Sequence, residues 1–313
     1  MTAKPRIVAV VGPTASGKTA LSIALAKRLG GEIVSCDSMQ IYRGMDIGTA
    51  KPDMAERDGV PHHLIDIVDP DAAFDASDYV TAAESAVQDI LSRGKTPIFC
   101  GGTGLYLDSF LRGGFCETAD SPELREELTR RAEQIGNEAI HAELRAVDPE
   151  SAEAIHPNNV RRVIRALEVY HATGVTKSQL DRQSREAEPR YDSRVLAIRF
   201  ADREQLYKRI DMRVDIMLEM GLLDEVKRLY EAGVFERSRT AAQAIGYKEL
   251  LGYLRGVTPL EEAVEDLKRA TRRYAKRQLT WFGAHKDVIW LDRDESTSAD
   301  ELLAAALDGL SKD

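Results

Sequence analysis

Gly12-Pro13-Thr14-Ala15-Ser16-Gly17-Lys18-Thr19 reads G-x-x-x-x-G-K-T, a pattern with which a chain cradles phosphate. Glycines let backbone amides turn toward phosphate oxygens, Lys18 adds a point charge, and the Thr19 hydroxyl can hold Mg²⁺. A chance match is expected in about one chain in a hundred at average residue frequencies. Here an apolar run, 7–11, precedes the loop and a helical pattern, 18–29, follows it, which is the context the motif requires. A phosphorylated ligand held by residues 12–19 is therefore expected.

The rest of the motif set narrows the chemistry. A nucleotide hydrolase commonly ends an apolar strand in an acid that supports the metal. The strand-like run 97–100 ends instead in Gly101-Gly102-Thr103-Gly104, and the strand-terminal acid is Asp37, after 32–36. In a parallel sheet the carboxyl ends of the strands meet at a ligand crevice, so Asp37 and the glycine turn should face the same ligand as Lys18. Asp before Ser is also a common turn former, but the coincidence of strand end and loop favours a functional role. Adjacent His62 and His63 point different ways, so a structural place or a solvated loop suits them better than a metal.

These residues need a scaffold, and the first hundred alternate strand and helix patterns as a mostly parallel sheet covered by helices requires. After the 32–36 strand, helical spacing covers 77–93 and Gly94 closes it. From Ser121-Pro122-Glu123 the pattern is helical without a convincing strand for about seventy residues. A helical insertion, 118–192, is expected inside an α/β core made of 1–117 and 193–313. Within it the polar stretch 181–190 is the best hinge or linker candidate. The sheet should resume at 195–200, and 204–286 reads as helices.

With 43 Lys and Arg against 52 Asp and Glu the formal charge is −9, at first sight unfavourable for a nucleic-acid partner. Its distribution is uneven: Lys268, Arg269, Arg272, Arg273, Lys276 and Arg277 lie in ten residues without an acid, whereas Asp287, Asp292, Asp294, Glu295, Asp300 and Glu301 crowd the end. Helical spacing puts the cations in two adjacent rows, with Leu267, Thr271, Tyr274 and Gln278 toward another face, so a phosphate-tracking surface is expected. Cys36, Cys100 and Cys116 are an odd set without metal-ligand spacing, which supports neither disulfides nor zinc. Neither a signal peptide nor a membrane-length apolar run is present, so a cytoplasmic protein without membrane association, and a monomer, is expected.

The blocks Ser35-Cys36-Asp37-Ser38-Met39-Gln40-Ile41-Tyr42, Gly44-Met45-Asp46-Ile47-Gly48-Thr49-Ala50-Lys51-Pro52 and Pro61-His62-His63-Leu64-Ile65-Asp66 resemble those of the bacterial tRNA dimethylallyltransferases. So do Gly101 to Tyr106, Arg165-Ala166-Leu167-Glu168-Val169, Ala244-Ile245-Gly246-Tyr247-Lys248 and Lys276-Arg277-Gln278-Leu279-Thr280-Trp281. They occur in order over nearly the whole chain. The resemblance implies a P-loop-like core with a helical tRNA-binding insertion, and transfer of dimethylallyl from its pyrophosphate to N6 of the adenosine 3′ of the anticodon, with Mg²⁺. It assigns Lys18 and Thr19 to pyrophosphate and metal, Asp37 to the role of base, Thr103 to the reaction centre, and Arg213 to the grip on pyrophosphate. Positions matching tRNA contacts are Asp37, Ser38, Met39, Gln40, Thr103, Arg125, Arg161, Arg162, Val163, Ile164, Arg165, Gln243, Ala244, Ile245, Gly246, Tyr247 and Lys248. Arg161 stands where the family often has glutamine. No cysteine follows Cys116, so the C-terminal zinc finger of some eukaryotic relatives is not expected.

The implied chemistry suits the residues. An adenine amino group is a poor nucleophile, and a positioned carboxylate such as Asp37 helps by accepting its proton. Lys18, Arg213, Mg²⁺ and loop amides can stabilise the charge gathering on departing pyrophosphate. Ser38 and Gln40 are suitable readers of a base edge. A P-loop kinase using ATP, an isopentenyltransferase acting on free adenine nucleotides, and a non-enzymatic RNA-binding module with a regulatory loop are the alternatives.

Overall fold

The computed structural model describes residues 4–112 and 121–312. Cys116 and the expected insertion start at 118 lie outside them. In chain order the first half comprises β1 (Arg6–Val11), α1 (Lys18–Leu29), β2 (Gly31–Ser35), α2 (Met54–Arg57), β3 (His62–His63), α3 (Ala76–Ser92), β4 (Thr96–Cys100) and α4 (Gly104–Leu111). Helices α5 (Pro122–Ile135), α6 (Asn137–Val147), α7 (Pro149–Ala154), α8 (Val160–Thr173) and α9 (Lys177–Glu186) follow. Then come β5 (Asp192–Phe200), α10 (Arg203–Glu219), α11 (Leu222–Glu231), α12 (Val234–Arg237), α13 (Arg239–Gln243), α14 (Tyr247–Leu254), α15 (Leu260–Gly283), β6 (Val288–Arg293) and α16 (Ala299–Ser311).

The strands form one six-stranded sheet in the order β3-β2-β4-β1-β5-β6, and every pairing is parallel. Side chains alternate across it. Val8, Val10 and Ile98 pack with Leu21 and Leu25 of α1 and Leu302 of α16, whereas Phe99 turns the other way onto Phe110. Strands covered on both sides read as continuous apolar runs, which is why 7–11 and 97–100 are so plain in the sequence. The α3 helix starts where the Asp75 carboxylate accepts from Ser77 N–H at 2.7 Å and Asp78 N–H at 3.0 Å, a cap of about 1 kcal/mol. Its far end is tied to β2, where buried Glu32 accepts from Arg93 at 2.8 Å and lies 2.8 Å from His63 Nε2. Arg93 holds that carboxyl down to about 2, with His63 adding to the effect against the desolvation.

The chain divides into two compact units, residues 1–110 with 190–313 and residues 111–189. In the second, among the described residues, there are helices and no strand, packed round Leu128, Ile140, Leu144, Val163 and Leu167. Residues 181–190 are not simply a linker. The first part continues α9, which a Thr176–Gln179 capping box starts, and Arg190 returns to the core unit beside Phe110. Two elements near the end, β6 and α16, add to the strand and helices expected from the sequence, and β6 completes the sheet edge beside β5.

Candidate active site

The loop between β1 and α1 is fixed through its carbonyls. Lys18 Nζ donates to the Pro13 carbonyl at 2.8 Å, Arg209 Nε to that of Ala15 at 3.1 Å, and Arg293 Nη1 to that of Ser16 at 2.8 Å. Ala15 is held at φ 61°, a left-handed conformation unusual for a residue with a Cβ. Gly12, at φ 135°, has no room for one, since it would lie 2.8 Å from the Ile198 carbonyl oxygen. The first turn of α1 begins at Lys18, and helix-start amides lack intrahelical acceptors.

The loop opens on a cavity of about 450 Å³ whose lining includes Thr14, Ala15, Lys18, Thr19, Asp37 and Arg213. Gly17 borders a second cavity of about 480 Å³ that shares Lys18, Thr19 and Arg213 with the first. The remaining loop residues, Gly12, Pro13 and Ser16, are buried behind these. Burial pulls the Lys18 ammonium down to about 8 and Arg213 pushes the same way, against Cys100 and Asp37. Burial likewise lowers Arg213 from the usual guanidinium value.

Asp37 reaches the cavity from the end of β2, its Oδ1 accepting from Met39 N–H at 2.9 Å. The glycine turn after β4 presses against that strand end: a Cβ on Gly101 would lie 1.9 Å from the Cys36 carbonyl oxygen. Thr103 sits just behind the wall. Its N–H donates to the Cys36 carbonyl at 3.1 Å, its Oγ1 accepts from Ser38 N–H at 3.0 Å, and Tyr274 also bonds to it. Ser38, Met39 and Gln40 line the cavity, as do Gln243, Ala244, Ile245 and Gly246.

Several residues have duties other than those read from the sequence. Gln40 Nε2 donates to the Thr49 and Ala50 carbonyls at 3.3 and 3.2 Å, and its Oε1 lies 3.2 Å from Ser35 Oγ, so its amide braces the 49–50 wall of the cavity. Tyr247 is fully buried, its hydroxyl 2.7 Å from Glu225, while Lys248 is exposed. Val163 and Ile164 belong to the core of the helical unit, because the apolar face of α8 turns inward there. Arg161 and Arg162 lie on the exposed face. In the same unit Arg125 pairs in a two-pronged fashion with buried Glu168, at 3.0 and 2.8 Å, and Arg165 Nη1 lies 2.9 Å from it.

The basic face of α15 is also partly neutralised. Lys268 pairs with Asp215 at 2.7 Å, Arg269 with Asp266 at 2.7 Å, and Arg272 with Asp211. Asp211 and Asp215 belong to α10, and Asp266 to α15 itself. His62 lines the cavity and His63 is bound to Glu32, both on the edge strand β3. Two buried polar groups escaped sequence reasoning. Gln278 joins the phosphate loop to the glycine turn, and Glu225 accepts the N–H groups of Asp46, Ile47 and Gly48 at 2.9, 2.9 and 3.0 Å. Each is a polar residue on an apolar helical face, beside Leu267 and Tyr274 or beside Leu222, Val226 and Leu229, and that mismatch was the available signal.

Fold and site define a doubly wound parallel α/β protein in which a phosphate-type loop and a carboxylate face one cleft. A family model described as IPP transferase matches residues 40–285. The chain is 52% identical over 293 residues to tRNA dimethylallyltransferase 1 of Pelobacter propionicus, covering 94% of each. Among solved structures it is similar to the full-length tRNA isopentenylpyrophosphate transferase of Bacillus halodurans, at 45% identity and TM-score 0.71, covering 98% of this chain and 97% of that one. It is also similar to a eukaryotic dimethylallyltransferase acting on tRNA, at 33% identity and TM-score 0.81, covering 98% and 80%. The chain belongs to the IPP transferase family, that of the tRNA dimethylallyltransferases.

Proposed function

We propose that the cavity binds dimethylallyl pyrophosphate, with its pyrophosphate on residues 12–19, and transfers the dimethylallyl group to N6 of the adenosine 3′ of the tRNA anticodon. The observation that carries this is the placing of Lys18 and Asp37 on one cavity with a largely apolar wall that includes Val214, Met217, Leu222, Ile245 and Leu267. The wall suits a branched five-carbon group, while Lys18 and Arg213 suit the anion that leaves. As N6 attacks the allylic carbon, the C–O bond breaks, its electron pair departs with pyrophosphate, and the N6 proton passes to Asp37. Adenine reaches such a site by leaving its stack, as loop bases read by proteins do.

Mg²⁺ fits the donors present. Thr19 offers a hard oxygen on the cavity, and among the described residues no group of three or more His, Cys, Asp or Glu forms a metal cage. Mg²⁺ characteristically takes few protein ligands and completes its shell with substrate phosphates and water. Bound there, it would neutralise charge on the leaving pyrophosphate. No helix among the described residues is long and apolar enough to cross a membrane, and we place the enzyme in the cytoplasm as a monomer.

Incubation with labelled dimethylallyl pyrophosphate and unmodified tRNA, followed by nucleoside analysis, tests the reading. Label on N6 of that adenosine is expected. ATP turnover without prenyl transfer, or preference for free AMP over tRNA, would replace it with the kinase or the free-nucleotide transferase.

A further inference from the structure

We infer that Gln278 is a positioning residue for the transfer, fixing the spacing between the loop that holds the leaving group and the turn that supports the base. The inference rests on the proposed function. Gln278 is 5% exposed, in the middle of the α15 face that meets the sheet's carboxyl edge. Its Oε1 accepts from Thr14 N–H at 2.9 Å and its Nε2 donates to the Gly102 carbonyl at 3.0 Å. A backbone N–H can only donate and a carbonyl can only accept, so a side chain that serves both must carry a donor and an acceptor. A primary amide of this length does so.

The two bonds lie within a continuous path across the site. Lys18 closes the phosphate loop onto Pro13, next to Thr14. From Gly102 the turn continues to Thr103, which bonds Cys36 and Ser38 on both sides of Asp37. Other turns of α15 hold the same segment: Tyr274 reaches Thr103, and Trp281 Nε1 donates to Asp108 at 3.0 Å. Of these contacts, Gln278 is the one that also grips the phosphate loop. The fit leaves no slack, because a Cβ on Gly102 would lie 1.9 Å from Gln278 Nε2. A bimolecular displacement depends steeply on the separation and alignment of its partners, and a 1 Å misplacement can reduce the rate by about 10²-fold.

The test uses the whole enzyme with tRNA and dimethylallyl pyrophosphate. Gln278→Met keeps length and removes both bonds; Gln278→Glu keeps the acceptor for Thr14 and loses the donor to Gly102. Both should lower the single-turnover rate constant at saturating substrates by roughly 10–100-fold, the scale of such misplacement, with the tRNA Kd within about twofold of wild type. Gly102→Ala should give the same loss by displacing the amide, and combining it with Gln278→Met should add little further. A merely structural role lowers the reacting fraction and thermal stability while the rate constant stays, and that result in a folded Gln278→Met or Gln278→Glu protein overturns the inference. Should the wild-type protein transfer no prenyl group, the proposed function and this inference fall together. Active wild type with an equally fast variant removes the inference alone.

Discussion

Lys18 and Asp37 line one cavity although the strands they follow, β1 and β2, are separated in the sheet by β4. The glycine turn after β4 makes this possible, since it is thin enough to let the ends of the flanking strands meet over it. Asp37 therefore faces the phosphate loop across a strand end that has no side chain of its own at Gly101 or Gly102.

The price of that arrangement falls on Lys18. Its value of about 8 lies below the ordinary 10.5, so the unfolded chain binds this proton more tightly and the folded state is penalised at neutral pH. The penalty is full below about 8 and disappears as pH rises to 10.5. Lys18→Met should abolish transfer, retain tRNA binding, and raise the melting temperature of the ligand-free protein at pH 7, with the gap narrowing toward pH 10. A lower melting temperature at pH 7 would show that burial of this ammonium is not unfavourable.

Glu168 makes the opposite case. Burial would raise its carboxyl, but the hydrogen bonds from Arg125, Arg165 and Ser121 N–H outweigh this and hold it below the ordinary 4.5. The stability it contributes is complete above 4.5 and is lost as pH falls through the depressed value. Urea unfolding between pH 3 and pH 7 should show wild type losing stability on acidification, and Glu168→Gln should flatten that part of the profile. An unchanged acid limb in the variant would remove Glu168 as its source.

On α15 the pairings divide the cations. Arg272 is tied to Asp211, whereas Arg273 and Lys276 are exposed and have no ion pair among the described residues. The Arg273→Glu and Lys276→Glu variants should weaken tRNA binding and flatten its salt dependence by about one unit of slope per lost phosphate contact. Arg272→Glu should instead destabilise the α10–α15 packing. Equal slopes in all three would mean that this face does not track the tRNA backbone.

The sequence made the phosphate loop, the central strands and the helical insertion legible because each carries a local signal: glycine spacing, apolar runs closed by turns, a Ser-Pro helix start. It was weaker where one element depends on another. β6 contains Asp292 and Arg293 and lies at a sheet edge, so its pattern is half polar, and only pairing with β5 makes it a strand. The basic run of α15 looked unpaired because two of its acidic partners, Asp211 and Asp215, belong to α10 and a third, Asp266, lies just before the run. The roles of Gln278 and Glu225 are set by backbone groups of distant segments, which residue type alone does not disclose. Val163 and Ile164 stand at tRNA-contact positions by motif, and the structure puts both side chains in the core of the helical unit.

The most direct test of the account is the single-turnover rate of Asp37→Asn with saturating tRNA and dimethylallyl pyrophosphate. The amide keeps size and polarity but cannot take the N6 proton. Both substrates should still bind, and the chemical step should slow by about 10²–10⁴-fold, the usual scale for a lost general base. Excess Mg²⁺ should not restore it, which separates this role from metal support. A folded Asp37→Asn protein that transfers the prenyl group at a near-normal rate would contradict the account.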